Sequence, residues 1–127
     1  MLGECFKHNA MKFIEDPVSP KYKLVHAVVT GESHWKNGMA DRKFTHCWIE
    51  CPDWVYDYTE MDSPARYDKK MFYEGMKPQF IVRLSQHEVI MRVKSSGHFG
   101  HWRQHPEHIH YSAMPLVNAN HRTFADA

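Results

Sequence analysis

Two runs that read as strands, Phe44 to Glu50 and Trp54 to Thr59, are separated by only a few residues around Cys51-Pro52. So short a link makes the chain double back as a β-hairpin. Ahead of it, Lys21 to Thr30 (KYKLVHAVVT) is rich in β-branched residues and reads as a buried strand. Gly31 to Arg42, between these strands, is a polar, glycine-bearing loop. Residues 4–15 follow a different period. Phe6, Ala10, Phe13 and Ile14 fall at i, i+4, i+7 and i+8, which is one apolar helical face, and Asp16-Pro17 ends the helix. Ser63-Pro64 predicts an N-cap followed by proline at the first helical position, opening a helix that runs to about Gly75. Gln79 to Leu84 reads as another strand. Ser85 and Glu88 form a capping box for a helix to about Ser95 that buries Val89 and Val93. After Gly97 the chain is rich in His, Pro and Gly and reads mostly as loop.

The order α-β-β-β-α-β-α predicts an α+β fold, with a small, mainly antiparallel sheet packed against an N-terminal helix. The chain has 127 residues and no linker long enough to divide it. It is therefore expected to form a single domain, 1–127, with a His-rich C-terminal segment, 97–127. Sixteen basic residues against fifteen acidic ones, a net charge of +1, indicate neither nucleic acid nor a membrane surface as partner. Met1 to His8 lacks the apolar stretch of a signal peptide, and no run approaches the roughly 20 apolar residues of a membrane helix. Three cysteines, Cys5, Cys47 and Cys51, are an odd count, which favours free thiols in a reducing compartment and a cytoplasmic location.

Cys5 lies in the first turn of the first predicted helix. Unpaired backbone N–H groups and the positive end of the helix dipole favour a nucleophilic thiolate there, and they can also stabilise an oxyanion. A lone cysteine at a helix start more often serves as a small apolar anchor. The hairpin adds a second feature. Pairing Ile49 with Trp54 sets His46 directly opposite Asp57, on one face, with Cβ atoms about 5 Å apart. A carboxylate in that place holds an imidazole in one tautomer and leaves its other nitrogen for a thiol. Pro52 is foreign to the primed two-residue turns, so the register depends on the loop. Asn9, one helical turn beyond Cys5, is a candidate to orient substrate or support the oxyanion hole, although a capping or surface amide fits equally well. Trp48 is a second candidate for the substrate side, although tryptophans in strands more often belong to the core. Cys47 alternates to the face opposite His46.

His46-Cys47-Trp48-Ile49-Glu50, followed by Asp57 between Tyr56 and Tyr58, resembles the core of papain-like and transglutaminase-like cysteine enzymes. Three further stretches extend the likeness to a family of small uncharacterised bacterial and phage proteins. They are Cys5-Phe6-Lys7-His8-Asn9-Ala10, Leu24-Val25-His26-Ala27 and Gly97-His98-Phe99-Gly100-His101-Trp102. The resemblance covers roughly residues 3 to 102, with departures at Ala27, Cys47 and His101. It implies that the nucleophilic cysteine begins a helix and that the histidine and aspartate lie on adjacent strands. It also implies a cofactor-free, cysteine-dependent hydrolase or acyltransferase using Cys5, His46 and Asp57. The partner would be a protein, peptide or small amide or ester substrate.

Two other classes stand beside that expectation. His98, His101, His105, His108 and His110 offer imidazoles to a metal, but Pro106 breaks any helix that would align them, and their spacing matches no zinc motif. No metal site is therefore expected, and a His-rich metal-binding protein is the alternative. A non-catalytic interaction protein that keeps only the fold is the third reading. Phe99 and Trp102 gain roughly 2 kcal/mol each by burial, so residues 97–110 are expected to fold back over the domain near the cleft.

Overall fold

The computed structural model describes residues 4–15, 20–32, 40–60, 64–100 and 102–109. The predicted stop at Asp16-Pro17 lies outside them. Along the chain run α1 (Glu4–Glu15), β1 (Lys23–Thr30), β2 (Lys43–Glu50), β3 (Trp54–Asp57), β4 (Ala65–Asp68), α2 (Lys69–Met76), β5 (Gln79–Leu84) and α3 (Gln86–Ser96). The five strands form one sheet in the order β4-β3-β2-β1-β5, and each neighbouring pair is antiparallel. The fold is α+β, with the N-terminal helix packed on the sheet.

One predicted element changes type. The helix expected to open at Ser63-Pro64 starts six residues after Ser63. Ser63 itself lies outside the described residues, and Ala65–Asp68 is a strand paired along the whole of β3. Asp68 is the actual N-cap, its carboxylate accepting from the Met71 amide at 3.1 Å. Aspartate caps as well as serine does, and β3 offers residues 65–68 an open edge that Pro64 cannot offset. The helix also runs past Gly75 and ends with Lys77 in the left-handed conformation. The capping box at Ser85 and Glu88 forms as expected, and Gly97 closes α3 in the left-handed conformation.

Strand alternation divides the core between the two faces of the sheet. On one face Phe6, Ala10 and Phe13 of α1 meet Leu24, Cys47, Ile49, Leu84 and Val89 of α3. On the other, Val25, Ala27, Val29, Phe44, Trp48 and Val55 meet Phe72 and Met76 of α2. Leu24 to Val29 are all buried because both faces of β1 are covered, so this strand reads as a continuous apolar run. Glu50 is buried on the α2 face. There it receives Arg83 Nε at 2.8 Å, Lys69 Nζ at 3.4 Å and the Tyr73 hydroxyl. Burial opposes its charge, but the donors from Arg83 and Tyr73 and the charges of Arg83 and Lys69 outweigh that and lower its pKa.

The segment after α3 turns back over the α1 face. Gly100 lies so close to α1 that a Cβ there would come within 3.0 Å of Phe6 Cβ. Trp102 stacks flat on His26 at 5.4 Å between ring centres, and Phe6 meets the same imidazole edge-on. A bulge in β5 places Phe80 at φ 54°, rare for so large a residue. Its carbonyl accepts from His108 Nε2 at 2.8 Å. Burial lowers the His108 pKa, so this imidazole docks in its neutral form. Ile109 then joins β2, donating to Thr45 Oγ1 at 2.6 Å and accepting from Thr45 N at 2.9 Å.

Ser85→Ala removes one side of the capping box. It should cost about 1 kcal/mol in urea unfolding while leaving thiol reactivity at the other end of α1 unchanged.

Candidate functional site

The site lies where β3 parts from β2. Pairing between them covers only Ile49 with Tyr56 and Glu50 with Val55, two residues away from the expected register. The cause is the turn. Cys51 N donates to Trp54 O at 2.9 Å across the two-residue loop Pro52-Asp53. Neither loop residue has positive φ. Such an unprimed turn does not match the twist of its strands and splays them. His46 is therefore not directly opposite Asp57. Extending the observed register sets Trp48 against Asp57 and leaves His46 on the diagonal. A shift by two residues preserves the face, so the pair still meets. His46 Nε2 donates to Asp57 Oδ2 at 2.7 Å.

Cys5 reaches the same point from the other side of the sheet. It is the second residue of α1, which packs on the Cys47 face, whereas His46 packs against Phe44 and Trp48 on the α2 face. At the split the Cys5 sulfur lies close enough to the imidazole to favour its charged form. With Nε2 committed to Asp57, Nδ1 is the nitrogen left for the sulfur. His46 and Asp57 are thus bonded, and Cys5 stands within electrostatic reach of the imidazole.

Two residues that the sequence did not single out hold Asp57. Thr59 donates to Asp57 Oδ1 from its backbone N at 2.9 Å and from Oγ1 at 2.5 Å. The Asp-x-Thr spacing is an Asx-turn pattern and is legible in hindsight. His8 Nδ1 in turn donates to Thr59 O at 2.7 Å, tying that loop to α1. Asn9 and Trp48, the candidates for the substrate side, are fully buried. Trp48 packs against Phe72 and Tyr73 as core. Asn9 spends its amide inside the protein. Its Nδ2 donates to Cys5 O at 2.8 Å, Cys47 O at 3.0 Å and Asp57 Oδ1 at 3.2 Å, and its Oδ1 accepts from Tyr58 N at 2.9 Å.

The side chains of His46 and Asp57 are each 12% exposed, so their charges act with little screening. Burial disfavours the imidazolium, but charge on Asp57 and on the Cys5 sulfur outweighs it and pushes His46 up to about 10. Burial likewise opposes the Asp57 carboxylate, and His46 together with Thr59 outweighs it, holding the group far below the usual carboxylate range. Burial raises the Cys47 thiol well above its ordinary value, with charge on Cys5 and Asp57 adding to the effect. Burial also raises Cys51.

His98, His105 and His108 are spent on local contacts with Gly100, Glu107 and Phe80. His101 and His110 lie outside the described residues. Among the described residues, no three His, Cys, Asp or Glu side chains gather as a metal-ligand set, and no helix is long and apolar enough to cross a membrane. Searches of protein-family models, curated proteins and solved structures return no match to this chain.

Asp57→Asn removes one charge of the pair and should cost about 2 kcal/mol where both groups are ionised. His46 contributes fully below its ordinary pKa of 6.5, and its contribution fades as pH rises toward about 10. Asp57 contributes fully above 3.8 and loses its contribution as pH falls below that value. Urea titrations of wild type and variant should therefore show the widest stability gap between about pH 4 and 6.5, narrowing on both sides.

Proposed function

We propose that this chain is a cofactor-free thiol enzyme of papain-like or transglutaminase-like type, acting on an amide, ester or thioester carbonyl. The observation that carries the reading is the 2.7 Å bond from His46 Nε2 to Asp57 Oδ2, with the Cys5 sulfur near enough to favour the charged form of the same imidazole. In this reading Cys5 Sγ bonds to the carbonyl carbon as the carbon–nitrogen, carbon–oxygen or carbon–sulfur bond to the leaving group breaks. His46 carries the thiol proton to the leaving group. Water or an amine then cleaves the thioester and passes its proton through His46 back to the sulfur. Asp57 keeps the ring in the orientation both steps need. Backbone N–H groups at the start of α1 would serve as the oxyanion donors. The reading is also supported by the resemblance of the Cys5, His46 and Asp57 segments to papain-like sequences, and it places the chain in the cytoplasm, where thiols stay reduced.

An activated ester such as 4-nitrophenyl acetate tests this without a known substrate. It should acetylate Cys5 ahead of Cys47 and Cys51, located by peptide mass mapping. Cys5→Ala should abolish the release of nitrophenolate, and His46→Gln should slow it on the order of a hundredfold. Acylation that survives in Cys5→Ala would exclude Cys5 as the nucleophile.

A further inference from the structure

We infer that Asn9 is a positioning residue, its carboxamide wedged between β2 and β3 to hold Cys5 in line with His46 and Asp57. This rests on the reading of Cys5 as the nucleophile. Extending the observed register sets Cys47 against Tyr58, and an unbroken ladder would have Tyr58 N donate to Cys47 O. Instead Tyr58 N donates to Asn9 Oδ1 at 2.9 Å, and Asn9 Nδ2 donates to Cys47 O at 3.0 Å. The amide stands in the middle of the missing bond. It supplies an acceptor to one strand and a donor to the other, so the strands separate without leaving these backbone groups bare.

The same nitrogen faces two more acceptors, Cys5 O at 2.8 Å and Asp57 Oδ1 at 3.2 Å. It has two hydrogens for three oxygens, so one hydrogen is shared. Each oxygen belongs to a different part of the triad: the backbone of Cys5, the residue after His46, and the carboxylate of Asp57. One planar group thus sets the distance between helix and hairpin. Asn9 is fully buried, so it acts through these neighbours and touches no substrate. An isosteric aspartate would turn an oxygen toward three oxygens. Leucine would leave Tyr58 N and Cys47 O unpaired, and glutamine would overfill the space by one methylene.

The test is the rate of Cys5 alkylation by iodoacetamide from pH 4 to 10, followed by mass mapping in wild type, Asn9→Ala and Val89→Ala. Val89 is a buried α3 residue of the α1-face core that takes no part in the hydrogen bonds of Asn9, and its truncation supplies a destabilised control. Asn9→Ala should slow Cys5 at neutral pH on the order of tenfold and move the midpoint of its pH–rate profile. Val89→Ala should leave the midpoint in place. An Asn9→Ala profile that superposes on wild type overturns the inference, as does a Val89→Ala profile that moves as far. A wild-type Cys5 no faster than a free cysteine peptide instead refutes the nucleophile. Should Asn9→Ala not fold, the wild-type NMR spectrum decides. The Asn9 side-chain NH₂ signals should shift as the His46–Asp57 pair titrates, and signals that stay fixed would overturn the assignment.

Discussion

The hydrogen bonds of the Asn9 amide are the constraint on which the site depends. Without an inserted donor and acceptor, β2 and β3 would either zip together beyond Ile49 or part and leave buried backbone groups unsatisfied. Zipped strands would close the gap at which Cys5 acts on His46 from the opposite face of the sheet. With the amide in place, the outer edge of β2 is covered in three successive ways: by β3 at Ile49, by Asn9 at Cys47 and by Ile109 at Thr45. Each uses the same alternate set of β2 residues, whose backbone groups point away from β1.

The two faces of the sheet divide the remaining work. The α1 face carries the thiol and the returning C-terminal segment, held by the Trp102–His26 stack and the Phe80 bulge. The α2 face carries Glu50 with Arg83, Lys69 and Tyr73, a buried carboxylate whose partners come from β5 and α2. That network anchors the end of β2 nearest the turn, where the strands are still paired. Glu50 is part of the His-x-Trp-x-Glu stretch, and its place in the structure is that of a cross-strand tie. Burial also separates the thiols by role. Cys47 and Cys51 are held protonated by their surroundings, whereas Cys5 stands at a helix start beside an imidazole.

Periodicity and local chemistry in the sequence determined a good part of this protein. The 3.6-residue spacing of Phe6, Ala10 and Phe13 determined the face of α1, β-branched runs determined β1 and β2, and the Ser85–Glu88 box determined the start of α3, because each signal lies within one or two turns of chain. The alternation within β2 and within β3 was equally local, and His46 and Asp57 kept one face because the loop shifted the register by two residues and not by one. The register itself was not local. It came from an unprimed Pro52-Asp53 turn and from a helix residue, Asn9, lodged between the strands. The strand identity of Ala65–Asp68 likewise followed from the open edge of β3, and the roles of Asn9 and Trp48 followed from burial. Hydrogen bonds between segments remote in sequence leave no period to read. Only the tertiary structure could decide them, because each donor's partner is chosen by where the rest of the chain has packed.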